Sequence, residues 1–202
     1  MAEVLGAGRF LRLVRDQRWE WAERTNAHGV VVIVATTPRD EVLLVEQHRI
    51  PVGARVLEMP AGLAGDDGSS EAFGGAAGAT TQPSGAGLSF GVEAAEPRPS
   101  TREALATAAA RELEEETGWR AGRIEWLTAG PVSAGMTSEV LTFFRAHDLV
   151  QVGAGGGVDG EDIVVHTVPR AEVREWLAQR HAEGVMADPK VYAGLYFLGL
   201  NT

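Results

Sequence analysis

Residues 103–119 read EALATAAARELEEETGW, and the way this stretch folds decides the architecture around it. As a helix with 3.6 residues per turn, it brings Glu112, Glu115 and Glu116 to one face at spacings of three and four. Ala104, Leu105, Ala108, Ala109 and Leu113 give the other side an apolar stripe containing small residues, able to lie close against a sheet. Ser100, three residues before Glu103, has the spacing of a capping box, and Gly118 supplies a left-handed stop after Thr117. Like charges so placed oppose one another by a few tenths of a kcal/mol per exposed pair. A divalent cation would reverse that cost, and carboxylate oxygens without sulfur or imidazole suit hard ions such as Mg2+ or Mn2+. A solvated acidic helix face is the simpler reading of the same charges.

The pattern extends beyond charge. Glu103, seven residues, Arg111-Glu112-Leu113, one residue, Glu115-Glu116, one residue, Gly118-Trp119 resembles the second part of the Nudix hydrolase signature. That signature begins with a Gly six positions before its first Glu, where this chain has Pro97. Upstream, Leu57-Glu58-Met59-Pro60-Ala61-Gly62-Leu63 resembles the segment carrying this Gly in the ADP-ribose pyrophosphatase and nucleoside diphosphate sugar hydrolase branch. Gly62 is therefore read as the displaced Gly, and a long insertion over about 66–99 as splitting the signature. The resemblance runs over most of the chain, from Trp19 to Leu198.

Composition narrows the partners. The 202 residues carry a formal charge of −10, which argues against bulk attraction to nucleic acid polymers or anionic membranes. The N-terminal MAEVLGAGRFLRLVRDQRWEW interrupts each apolar run with charge, unlike a signal peptide, and no stretch has membrane-spanning length. The expectation is a cytoplasmic protein. With no Cys, disulfides, thiol catalysis and zinc–thiolate sites are excluded.

Residues 1–26 read as an N-terminal strand extension and 27–202 as the hydrolase domain. Trp19 and Trp21 alternate within a strand over 17–24; they either pack at a subunit or core surface, or one of them stacks on a base. Runs at 28–37 and 41–47 read as a buried hairpin turning at Pro38-Arg39-Asp40. Arg49 either holds phosphate or ribose with its fork of donors, or pairs with Glu46 or Glu58. The Pro60-Ala61-Gly62 segment reads as a turn that releases backbone carbonyls from strand pairing. The insertion, rich in Gly, Ala, Ser and Pro, reads as a flexible excursion; a lid bearing Phe73 or Phe90 is the minority alternative. Strands follow at 124–129, 140–146 and 163–168, with helices over 169–181 and after Asp188-Pro189. Residues 152–162, VGAGGGVDGED, read as a mobile acidic loop with no helix behind it to form a phosphate cradle.

The Nudix resemblance implies an α/β (α+β) fold, a mixed β-sheet flanked by helices. It implies hydrolysis of the diphosphate linkage of a nucleoside diphosphate sugar, ADP-ribose to AMP and ribose 5-phosphate before others. Nucleoside triphosphates, dinucleoside polyphosphates and a non-catalytic ADP-ribose sensor are the alternatives. Metal ligands would be Glu112, Glu115, Glu116 and the Ala61 carbonyl, for Mg2+ or Mn2+. Glu161 would be general base, in preference to Asp159, with Arg111 orienting a helix carboxylate and Glu103 in support. Arg49, Glu58, Trp19, Trp21, Gly135, Met136 and Glu139 would contact substrate, although Ser133-Ala134-Gly135 lacks the Pro usual in that loop. A homodimer is implied as well, the N-terminal sheet lending residues to the partner's pocket.

Overall fold

A computed structural model describes residues 2–27, 29–65, 99–158 and 160–200, apart from the side chains of Pro99 and Ser100. The insertion with Phe73, Phe90 and Pro97, and also Asp159, lies outside the described residues.

The chain opens with an antiparallel meander of β1 (Glu3–Ala7), β2 (Leu11–Asp16) and β3 (Trp19–Arg24). Then come β4 (Gly29–Ala35), β5 (Glu41–Arg49), β6 (Ala54–Glu58) and β7 (Ala61–Ala64), with a single 3-10 turn at Ile50–Val52. Helix α1 (Pro99–Thr117) follows, then β8 (Trp119–Arg120), β9 (Arg123–Pro131), β10 (Val140–His147), β11 (Val150–Gln151) and β12 (Ile163–Pro169). Helix α2 (Val173–Ala182), β13 (Met186–Ala187) and helix α3 (Pro189–Phe197) complete it. Two mixed four-stranded sheets form the body, in the orders β7-β4-β10-β9 and β12-β5-β6-β13.

Strand β4 shows why the sequence builds layers. Val31, Ile33 and Ala35 pack with Leu105, Ala109 and Leu113 of α1, while Val30, Val32 and Val34 pack with residues of α2 and α3 such as Val173, Leu177, Val191 and Leu195. Because successive strand residues face opposite sides, a run apolar at every position needs cover on both. The helices supply that cover, α1 on one face and α2 with α3 on the other.

The expected hairpin between the two apolar runs does not form. Strands β4 and β5 enter different sheets and meet only at a Thr36–Val42 bridge beside the turn. Both edges of each strand are already taken, β4 by β7 and β10, β5 by β12 and β6. Apolar periodicity reports burial, not which strand lies alongside. The caps differ in a similar way: α1 already includes Pro99, so Ser100 sits inside its first turn and not at the cap. Helix α2 begins at Val173, since Pro169 completes β12. At α3 the expected cap is present, Asp188 accepting the Lys190 N–H at 2.7 Å with Pro189 in the first turn.

A buried charge cluster ties the second sheet to α2. Glu46, 3% exposed, accepts hydrogen bonds from Arg55 (2.6 Å) and Arg180 (2.7 Å) and contacts the His166 ring nitrogen at 3.0 Å. Burial pushes its carboxyl up, but the bonds from Arg55, Arg180 and His166 outweigh this and leave it below the ordinary value of 4.5. A carboxylate with a depressed folded value adds stability above its unfolded value, and loses it as pH falls through the folded one. Glu46→Gln is expected to cost about 2–3 kcal/mol at neutral pH, because it leaves two guanidinium groups short of a charged partner. In urea titrations the gap from wild type should close as pH drops below about 4.5. A gap that stays constant down to pH 3 would show that Glu46 acts by packing alone.

Among the described residues no helix is long and apolar enough to cross a membrane.

Candidate functional site

The carboxylate face of α1 looks into a cleft of about 640 Å³, walled by β5, β6, β7 and the start of α3. Glu112, Glu116, Glu161, Glu58, Glu139 and Arg49 all line it. Trp19, Trp21, Gly135 and Met136 do not line this cleft in their own chain; Trp19 and Met136 are 58% and 66% exposed. The Trp21 indole instead donates to Glu23 at 2.7 Å. Glu103 is exposed on α1.

Glu112 and Glu116 line the cleft and Glu115 does not; Glu112 and Glu115 share one donor and Glu116 takes another. Arg111 donates to Glu112 and to Glu115, both at 2.8 Å, and to the Leu63 carbonyl at 3.3 Å. Glu116 accepts the Ala61 N–H at 3.0 Å. Among the described residues no three acidic, His or Cys side chains stand close enough to form a ready-made cation cage.

Glu116 records the strain of this arrangement. Burial pushes its carboxyl up to about 8; the Ala61 N–H partly offsets this, and the charges of Glu112, Glu161 and Glu58 add to the rise. A hard divalent cation would relieve such a surplus of buried oxygen donors, so the residues present fit one.

Ala61 reaches the site by strand geometry. Contrary to the expected free turn, Ala61 and Gly62 belong to β7 and pair with Val32 and Val31 of β4. The Ile33 N–H bonds the Pro60 carbonyl at 2.8 Å, so Ala61, one residue on, falls in the alternate position of the antiparallel ladder. Its N–H and carbonyl therefore face away from β4, and the N–H meets Glu116.

Gly62 leaves the space that Glu112 fills. A Cβ built there would lie 1.9 Å from the Glu112 carboxyl carbon. Gly62→Ala must displace that carboxylate, which Arg111 otherwise holds. Whatever turnover the cleft supports should fall ten- to hundredfold, about what a misplacement near 1 Å costs, with little change in Tm. A thermal melt beside a kinetic assay checks both; a large fall in Tm would show Gly62 to be structural.

The Gly-rich loop after β11 is tied to the end of α1 and not free as expected. Val152 and Gly153 N–H groups donate to the Gly118 carbonyl, at 2.8 and 3.1 Å, Gly156 to Glu116 at 2.8 Å, and Gly157 to Glu115 at 3.1 Å. These carbonyls have no partner within the helix, and the loop satisfies them. Gly155 makes the approach possible: its φ is +71°, and a Cβ would lie 2.4 Å from the Thr117 carbonyl carbon. The docked loop carries Glu161 to the cleft, where its carboxylate accepts the Val158 N–H at 3.1 Å.

Three ion pairs in the cleft complete the site. Arg49 grips Glu58 through two hydrogen bonds, of 2.5 and 2.8 Å, which settles its pairing in favour of Glu58 over Glu46. Arg24 of β3 pairs with Glu139, and Lys190 of α3 with Asp188. Sequence reading missed Arg24, Asp188 and Lys190; the two-residue spacing of Asp188 and Lys190 across a helix cap was the one available signal.

No protein-family model matches the sequence. The chain is 27% identical over 136 residues, 67% of its length, to the methanol dehydrogenase activator of Bacillus methanolicus. The match spans only 55% of that relative. Among solved structures the chain resembles an ADP compounds hydrolase, with a TM-score of 0.54, 16% identity and coverage of 87% of this chain and 80% of the other. This likeness decides the architecture. The chain has the Nudix hydrolase fold.

Proposed function

We propose that the protein hydrolyses the diphosphate linkage of a nucleoside diphosphate sugar, ADP-ribose before others, to a nucleoside monophosphate and a sugar phosphate. The observation that carries this reading is the meeting of Glu112, Glu116 and Glu161 with Arg49 and Gly62 in one cleft. The likeness to an ADP compounds hydrolase supports the adenine nucleotide.

Glu112, Glu115, Glu116 and the Ala61 carbonyl are the oxygens that would hold Mg2+ or Mn2+. When bound, such an ion supplies charge neutralisation and Lewis acidity to the diphosphate. Arg111 bonds Glu112, which lines the cleft, and Glu115, which lies outside that lining. Glu161 takes the proton from the water that attacks phosphorus. Arg49, clamped by Glu58, directs its remaining donors at phosphate or ribose oxygens. Glu139, Gly135 and Met136 complete the substrate wall with the N-terminal sheet. That wall forms between two copies of the chain, to which Trp19 and Trp21 contribute; exposed Val4, Phe10, Leu11, Leu13 and Trp19 support this pairing. A monomeric mass by light scattering would remove the dimer from the reading.

The test is a panel of ADP-ribose, UDP-glucose, GDP-mannose, a diadenosine polyphosphate and nucleoside triphosphates, assayed for products with Mg2+, Mn2+ or EDTA. The sugar nucleotides should be cleaved, ADP-ribose fastest. Cleavage confined to triphosphates would overturn the substrate class. A second reading follows from the named relative, that the protein stimulates a dehydrogenase. Rate enhancement of a methanol dehydrogenase by a protein that cleaves nothing in the panel would favour it.

A further inference from the structure

The described lining of the cleft holds six carboxylates and three cations, Arg24, Arg49 and Lys190. Lys190 is the single lysine among the eighteen Lys and Arg of the chain. It stands in the first turn of α3, across the cleft from α1. Asp188 holds it twice, one carboxylate oxygen accepting its backbone N–H at 2.7 Å and the other its ammonium. The two side chains are 16% and 23% exposed, so the pair is largely fixed in place. Arg49 lies within electrostatic reach of both Glu116 and Asp188.

We infer that the Asp188–Lys190 pair is a specificity determinant that binds the hydroxyl groups of the sugar at the far end of the substrate. The inference rests on the reading of the cleft as a diphosphate hydrolase site. Charge selects the ligand class. The pair is neutral overall and the cleft lining carries more carboxylates than cations, so a second anionic group beside the pair is repelled and an uncharged, oxygen-rich group is favoured. Hydrogen-bonding capacity selects the sugar. An ammonium has three donors, of which Asp188 takes one, and a carboxylate has about four acceptor positions, of which two are used. Donors and acceptors left side by side match vicinal hydroxyls, each able to give and receive. The flat fork of arginine suits a carboxylate or phosphate, whereas a compact ammonium can aim at hydroxyl oxygens in several directions.

The experiment compares ADP-ribose with ADP methyl ester, which keeps the diphosphate and lacks the second sugar. Wild type, Lys190→Met and Lys190→Gln are assayed with both, after thermal melts show which variants fold. In Lys190→Met the ratio of kcat/KM for ADP-ribose over the methyl ester should fall at least tenfold, mainly through KM for ADP-ribose. Lys190→Gln, which keeps a donor, should recover part of it. Equal loss on both compounds, or an unchanged ratio, overturns the inference. Equilibrium binding of the same pair separates it from the reading beneath. Wild type that binds both and cleaves neither defeats the hydrolase reading, while a binding ratio that still falls in Lys190→Met upholds the sugar contact. Wild type with no preference for ADP-ribose over the methyl ester, in binding or turnover, defeats the inference outright.

Discussion

Glu116→Gln should cut turnover of ADP-ribose at least about a hundredfold and at the same time raise the stability of the metal-free protein. The first effect follows from replacing a charged oxygen donor by a neutral amide in the group of carboxylates that would hold the cation. The fold should survive, since the amide oxygen can still accept the Ala61 N–H. The second effect follows from the position of the carboxyl in the folded state, near 8 against an ordinary 4.5. An acid whose folded value is raised binds more protons folded than unfolded between these limits, so its ionisation costs stability as pH climbs from 4.5 towards 8. Gln removes that cost, on the order of 3 kcal/mol at pH 7. Denaturation in EDTA should show wild type weakening over that interval and Glu116→Gln holding level. Near-normal activity in the variant would remove Glu116 from the metal assignment.

Glu161→Gln should lower kcat by about a hundred- to a thousandfold, within the range for loss of a general base, and leave KM within a few-fold. The Gln side chain can keep the bond from the Val158 N–H, so the docked loop should hold its path. Hydrogen exchange at Gly156 and Gly157, whose N–H groups bond α1 carbonyls, would report any undocking. Asp159→Asn is the natural comparison. If that variant shows the large fall and Glu161→Gln does not, the base is Asp159.

What could be read from sequence was whatever a single element determines. Helical spacing brought Glu112 and Glu116 to the same cleft, Gly118 ended α1 with φ +72°, and Asp188-Pro189 capped α3. Gly62, picked out as the displaced Gly of a split signature, does lie against Glu112. What escaped depends on long-range pairing. The partners of β4 and β5 are set by edges contributed by β7, β10, β12 and β6, none of which the apolar pattern of either strand encodes. Glu46 draws its partners from β6, β12 and α2, up to 134 residues away. The docking of the Gly-rich loop is made by backbone N–H groups, which carry no side-chain signature. Arg24 reaches the cleft only because β3 packs beside the loop before β10, where the Ala22 N–H bonds the Met136 carbonyl at 2.9 Å.

The most direct test of the central claim is one incubation of the purified protein with ADP-ribose and Mg2+, followed by 31P NMR, with an EDTA control. The account predicts loss of the diphosphate signals and growth of two phosphomonoester signals, AMP and ribose 5-phosphate, in the Mg2+ sample alone. Intact ADP-ribose in both samples would contradict it.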